Sequence, residues 1–167
     1  TIETLLRAAD AAMYASKAAG GNCSTFADPS RHEGRATGIR VVAWYLPGFV
    51  KPSLDVRRTR AMLSFRTPAG AAFDGVALDI ESLRLKSVGL RTARLLALSR
   101  ILRAEAGETP VAAITYPSRG FERHPTWWPD FPWQQLTALV DAWIPMTYTG
   151  KSFPGYDATY GYVARSL

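Results

Sequence analysis

Four short apolar runs recur along the chain at a nearly constant interval. They span residues 39–46 (IRVVAWYL), 75–81 (GVALDIE), 111–116 (VAAITY) and 142–148 (AWIPMTY), with centres about 35, 35 and 32 residues apart. Each run is rich in β-branched and aromatic residues and is bounded by Pro or Gly, as buried strands typically are. The interval leaves room for one helix between successive strands. It therefore predicts an α/β fold built on a parallel sheet, with right-handed crossovers.

The segments between the runs carry helical signals. Ser53 is a candidate N-cap for a helix over residues 53–63, and the clearest helix covers residues 88–106. A shorter helix is predicted over residues 132–140, with Asp130 close enough to cap it. Strands therefore alternate with helices throughout the second half of the chain.

The second run, DGVALDIE, carries acidic residues to its carboxyl end. Because side chains alternate along a strand, Ala77, Asp79 and Glu81 share one face, and Leu78 and Ile80 share the other. Burying two acidic side chains on one face of a strand costs free energy, so acids in such a place usually have a function. Such a site can raise a carboxyl pKa and create a general acid.

Further polar and aromatic groups follow the ends of the other strands. Tyr45, Tyr116, Ser118 and Tyr148 are the clearest of these. In parallel α/β folds these ends form the functional edge. A long loop, residues 117–132, follows the third strand on the same side, and loops of that length are often functional.

The composition bounds the chemistry. The chain has one cysteine and two histidines, which gives no cysteine-based metal site and no sign of a metal cluster, so no metal or cofactor is expected. The net charge of +6 comes from arginines without an aromatic-interleaved basic motif, so we expect no nucleic-acid partner. No apolar run approaches the roughly 20 residues of a membrane span. No segment of the chain resembles a signal peptide. The sequence leaves both the localisation and the oligomeric state open.

The first 30 residues differ in composition from the rest. The stretch LLRAADAAMYASKAAGGN, residues 5–22, resembles the C-terminal end of GGDEF diguanylate cyclase domains, with Asp10, Tyr14, Lys17 and Asn22 matching. Gly21 stands where that family has a phosphate-contacting Arg, and the GGDEF motif itself is absent from the chain. The resemblance implies ancestry or neighbourhood rather than cyclase activity.

Residues 31–167 resemble chitinase-like glycoside hydrolases of actinobacterial type, which are (β/α)8 barrels. DGVALDIE is similar to the strand-4 motif Asp-Gly-x-Asp-x-Asp-x-Glu, with Ala77 in place of one acid. VDAWIPMTYTG is similar to the strand-6 motif, with Asp141 and Met146 matching and Thr149 in place of an Asp. The resemblance implies a partial barrel, strands 3 to 6, preceded by a helix and a strand from the GGDEF-like segment.

The same resemblance implies the roles of individual residues. Glu81 corresponds to the general acid, Asp79 to the group that orients the substrate's N-acetyl nucleophile, and Tyr148 to a hydrogen-bond donor. Substrate contacts are expected from five further residues: Tyr45, Tyr116, Trp127, Trp128 and Met146. The two tryptophans are expected to offer ring faces on which a sugar stacks, the alternative being that they pack in the core.

The expected organisation is a GGDEF-like remnant over residues 1–30 and a partial glycoside hydrolase-like barrel over residues 31–167. We expect the partner to be a carbohydrate, the complete parent barrel to hydrolyse glycosidic bonds, and this 167-residue chain to be inactive by itself. Two alternatives stay open. The chain is a non-catalytic carbohydrate-binding remnant, or it is a fragment of a cyclic-di-GMP signalling protein.

Overall fold

The computed structural model describes residues 40–147 and 155–164. The GGDEF-like segment and Tyr148 lie outside these ranges, so what the sequence predicts for them stays a prediction. The described elements, in chain order, are β1 (Val42–Tyr45), α1 (Pro52–Ser64), β2 (Gly75–Ile80), α2 (Val88–Ala106), β3 (Val111–Thr115), α3 (Ser118–Arg123), α4 (Trp133–Thr137), β4 (Ala142–Pro145) and α5 (Gly155–Ala164).

The four strands form one sheet in which every neighbouring pair is parallel, in the order β1-β2-β3-β4. The predicted parallel α/β architecture is therefore confirmed. Each strand is shorter than its apolar run. Strands β2, β3 and β4 begin with their runs and end one to three residues earlier, and β1 begins only at Val42. The described strands form an open sheet with β1 and β4 at its edges, so closure into a barrel remains a prediction.

Helices α1, α2 and α4 lie where the sequence predicts helices, although α1 and α4 differ at their ends. Helix α3 falls in the segment that the sequence predicts as a long loop. Helix α2 covers the predicted residues, with Ser87 as its N-cap. Helix α1 has Lys51 at its N-cap and begins with Pro52, so the expected cap at Ser53 is wrong. Proline suits this first position because its missing N–H would have no partner there. Asp130 makes no capping bond to α4.

One face of the sheet carries the core. Val76, Leu78 and Ile80 of β2 are each 1 % exposed and belong to the main apolar cluster. Helices α1 and α2 cover this face with Met62 and Leu95, among others. Fully burying side chains of this size stabilises a fold by about 1.5–3 kcal/mol each. The core therefore fixes which face of β2 is turned to the helices.

The opposite face carries the first candidate acid. The strand register aligns Trp44 of β1 with Ala77 of β2, and aligns Asp79 with Ile114 of β3 and Ile144 of β4. Trp44 and Ile144, on the two edge strands, are 42 % and 45 % exposed. Asp79 therefore lies in the middle of the sheet, flanked by apolar side chains.

Helix α2, at 19 residues, is the longest described helix, and none of the described helices is both long and apolar enough to cross a membrane.

Candidate functional site

Two carboxylates mark the carboxyl end of β2. Asp79 is the fifth residue of the strand and is 7 % exposed, and Glu81 follows the strand and is half-buried. Alternation along the strand turns both residues to the face opposite the helices. The strand therefore delivers two acids to one edge of the sheet, as its sequence predicts.

Tyr116 joins these carboxylates from the neighbouring strand. It comes directly after β3, and the β2–β3 register, which pairs Ile80 with Thr115, sets Tyr116 level with Glu81. Burial raises the pKa of the Tyr116 phenol, and the negative charges of Glu81 and Asp79 raise it further, because all three effects disfavour a phenolate. The structure therefore brings together three of the residues that the sequence selected.

Residues 117–132, here called the aromatic loop, begin with helix α3 and add Trp127 to this group. The Trp127 ring lies 4.8 Å from the Tyr116 ring, and His124 stacks on Trp127 with centroids 4.1 Å apart and planes inclined by 11°. Trp127 stays half-buried and His124 is exposed. The loop therefore presents a partly exposed indole beside the acidic edge. No feature of the sequence predicts that His124 belongs to this cluster, because its stacking on Trp127 depends on how the loop folds.

Trp128 takes a different role from its neighbour. It is 2 % exposed, with the Arg91 guanidinium over its ring at 4.2 Å and the rings of Phe49 and Phe131 set edge-on against it. Its indole N–H donates to the Thr92 hydroxyl over 2.9 Å. No ring face is left open, so the structure corrects the expectation of a sugar-stacking surface at this position. The packing alternative describes Trp128.

Tyr45 is turned toward the helices, on the face of β1 opposite Trp44. It is 5 % exposed, and its hydroxyl donates to Asp55 in α1 over 2.5 Å. Burial, followed by the hydrogen bond to Asp55, raises the pKa of Tyr45 to about 12. This geometry ties Tyr45 to a helix rather than to the acidic edge. The substrate contact expected of Tyr45 stays a prediction without geometric support.

A cavity of about 360 Å³ lies at the carboxyl ends of β3 and β4. Its described walls include Tyr116, Ser118, Trp133, Trp143 and Pro145. None of its described lining residues is charged, so the described walls suit an uncharged ring-shaped group.

Met146 lies next to these walls, just past β4. It is half-buried, and its N–H donates to the Thr115 carbonyl over 2.9 Å. The adjoining Tyr148 lies outside the described residues, so the hydrogen bond expected from it stays a prediction.

Two other acids of the motifs lie at the amino end of the sheet. Asp74 accepts a hydrogen bond from the N–H of Val41 over 2.7 Å, and Asp141 accepts one from the N–H of Val111 over 2.8 Å. Both residues precede a strand and hold the start of the neighbouring strand. They lie at the end of the strands remote from Glu81.

The sequence also allows Glu81 to be a strand-end carboxylate in an ion pair with Arg84 or Arg119. Neither arginine forms an ion pair with Glu81, although all three residues are described. Across residues 40–147 and 155–164, no group of three or more His, Cys, Asp or Glu side chains is arranged to hold a metal ion. The chemistry available at this edge is therefore that of carboxylates, a phenol and aromatic rings.

The fold and this edge define an α/β protein with a four-stranded parallel sheet and a pair of acids at the end of a central strand. Comparisons with protein-family models, curated proteins and solved structures find no match to the chain.

Proposed function

We propose that this sheet belongs to a glycoside hydrolase-like barrel in which Glu81 is the general acid. The observation that carries the proposal is the placement of Asp79 and Glu81 at the carboxyl end of β2, where their charges act on Tyr116. Parallel α/β enzymes assemble their active sites at this end of the strands. An acidic pair with an adjoining phenol supplies the proton-transfer and orienting groups that glycoside cleavage needs.

In the proposed reaction Glu81 gives its proton to the glycosidic oxygen as the bond to the anomeric carbon breaks. By the resemblance to chitinase-like enzymes, the carbonyl oxygen of the substrate's N-acetyl group attacks that carbon. Asp79 orients the N-acetyl group, and Tyr148 donates a hydrogen bond to it. Water then attacks the anomeric carbon, the bond from that carbon to the N-acetyl oxygen breaks, and the water gives a proton to Glu81. Ala77 departs from the family pattern at one acid, which leaves the acid and one helper.

The ligand class follows from the resemblance and not from the cavity. The cavity beside Tyr116 has no charged side chain among its described lining residues. Its Trp143 and Pro145 are in register with Leu78 and Ile80, so these walls belong to the helix-covered face and not to the face of Asp79 and Glu81. Trp127, half-buried in the aromatic loop, is the proposed stacking residue at the acidic edge.

A carbohydrate-binding protein without catalysis is the second candidate. The same aromatic residues favour it, because Trp127, Tyr116 and the tryptophan-lined cavity need no acid to hold a sugar. A fragment of a cyclic-di-GMP signalling protein, the third reading of the sequence, draws on residues 5–22 alone.

The proposal is tested with two measurements on matched variants. Hydrolysis of chitotetraose, cellotetraose and xylotetraose is measured with this chain and with a longer protein that shares its strands and supplies the remaining ones. Binding of the same sugars is followed through tryptophan fluorescence. The Glu81→Gln variant removes the acidic proton and keeps the shape of the side chain. The control is Glu108→Gln, which alters an exposed glutamate in the turn between α2 and β3.

We expect the longer protein to hydrolyse chitotetraose, the one sugar of the three that carries N-acetyl groups, and not the other two. The Glu81→Gln variant should lose at least about a hundredfold in rate, the lower range for a general acid. Binding should survive in that variant, and Glu108→Gln should match the parent. Hydrolysis that is unchanged in Glu81→Gln would overturn the acid role. Binding of a sugar with no hydrolysis by the complete barrel would select the second candidate.

A further inference from the structure

Asp55 is a buried carboxylate that organises the turn after β1. It is 4 % exposed, in the first turn of α1. One of its oxygens accepts hydrogen bonds from the Tyr45 hydroxyl at 2.5 Å and the N–H of Gly48 at 3.3 Å, and the other accepts from the N–H of Phe49 at 3.1 Å. Three donors offset the cost of burying the charge. The carboxylate thereby fixes residues 46–51, here called the β1 turn.

The β1 turn holds Phe49 in an unusual backbone conformation. Its φ is +59°, a left-handed region that non-glycine residues seldom occupy. Arg94 of α2 donates to the carbonyls of Phe49 and Val50, at 2.7 and 3.1 Å. Asp55 and Arg94 therefore hold the two sides of one strained residue, and the Phe49 ring is 1 % exposed as a result.

The Phe49 ring connects the β1 turn with the aromatic loop. It meets the Trp128 ring edge-on, with centroids 5.8 Å apart and planes at 84°. Arg91 lies over the Trp128 ring and donates a hydrogen bond to the carbonyl of Trp127. Because Trp127 and Trp128 are adjacent, fixing Trp128 also fixes where Trp127 stands beside Tyr116.

We propose that Asp55 is a positioning residue for Trp127 and acts through Phe49 and Trp128. The carboxylate touches neither tryptophan, yet it sets the turn on which Trp128 rests. The inference concerns the placement of the aromatic loop and does not depend on glycoside chemistry, so it can fail while the proposed function stands.

The test is fluorine NMR on the full chain labelled with 5-fluorotryptophan. Five signals are expected, from Trp44, Trp127, Trp128, Trp133 and Trp143, and single Trp→Phe variants assign them. Asp55→Asn keeps the shape, but its amide cannot accept the hydrogen bonds of all three donors. We expect the signals of Trp127 and Trp128 to shift or broaden in this variant, and that of Trp143, on the far edge strand β4, to stay in place.

Asp141→Asn is the matched control. It also alters a carboxylate that accepts a backbone N–H, at the opposite end of the sheet, and it should leave the Trp127 and Trp128 signals unchanged. Phe49→Leu tests the link itself and should move the same two signals while Asp55 stays intact. It also carries the test if Asp55→Asn does not fold.

Three outcomes would overturn the proposal. The signals of Trp127 and Trp128 could stay unchanged in Asp55→Asn, or in Phe49→Leu. All five signals could change together in Asp55→Asn, which would show that Asp55 supports the fold as a whole rather than this loop.

Discussion

Asp141 and Val111 exchange two hydrogen bonds at the amino end of the sheet. The Val111 N–H donates to the Asp141 carboxylate over 2.8 Å, and the Asp141 N–H donates to the Val111 carbonyl over 2.7 Å. Arg103 at the end of α2 donates to the same carboxylate oxygen over 2.7 Å. One exposed aspartate therefore joins the starts of two strands and the end of a helix.

This arrangement predicts that the contribution of Asp141 to stability depends on pH. The hydrogen bond from Val111, followed by the one from Arg103, lowers the pKa of the carboxyl in the folded state. A carboxyl whose pKa is lower in the folded protein stabilises the fold fully when the pH is above its pKa in the unfolded chain, about 3.9. This stabilisation is lost as the pH falls through the pKa in the folded protein. Asp141→Asn should therefore unfold at a lower urea concentration than the parent at neutral pH, and the difference should shrink in strong acid. A difference that does not change with pH would contradict this.

Tyr45→Phe should lower the free energy of unfolding by about 1–3 kcal/mol, because it removes a buried hydrogen bond to a charged acceptor. The pKa of the phenol is raised to about 12, so its contribution is complete below the unfolded value, about 10, and is lost as the pH rises through about 12. Urea unfolding across this alkaline range should show the parent losing stability faster than the variant. Parallel curves would show that Tyr45 ionises alike in both states.

The two neighbouring tryptophans should respond differently to truncation. Trp128→Ala should cost about 3–5 kcal/mol in unfolding free energy, because a ring that is 2 % exposed leaves a cavity. Trp127→Ala should cost less, because that ring is half-buried. If Trp127 is the stacking residue, its variant should bind the preferred oligosaccharide up to about tenfold more weakly. Equal losses of stability would contradict the separate roles, and unchanged affinity would remove Trp127 from the site.

Introducing an acid at Ala77 should destabilise the protein. Ala77 is fully buried, in register with Trp44 on β1 and Ala112 on β3. Ala77→Asp would bury a carboxylate two positions from Asp79, at a cost of several kcal/mol. Both burial and the like charge would raise the pKa of the new carboxyl, so the variant should recover part of its stability as the pH falls. Thermal unfolding across acidic pH measures this, with Ala77→Val as the uncharged control for added volume. A variant as stable as the parent at neutral pH would show that the strand has room for the acid.

The sequence by itself determined the architecture described here. Strand composition at a constant interval predicted four parallel strands, and alternation in DGVALDIE predicted which side chains of β2 share a face. These features follow from local geometry and from the burial of apolar side chains, and both of these can be read from residue order. The helix caps were less predictable, since Pro52 rather than Ser53 begins α1.

The tertiary structure decided which of the candidate residues meet. Tyr45 and Tyr116 both follow the same pattern in sequence, yet Tyr45 bonds Asp55 on the helical side and Tyr116 joins Glu81 on the other. Trp127 and Trp128 are adjacent, yet Arg91 and Phe49 enclose the second and leave the first partly open. The partners of these residues lie far away in the chain or on another element, so no local pattern encodes the contact. Packing between elements separates a side chain that supports the fold from one that is available to a ligand.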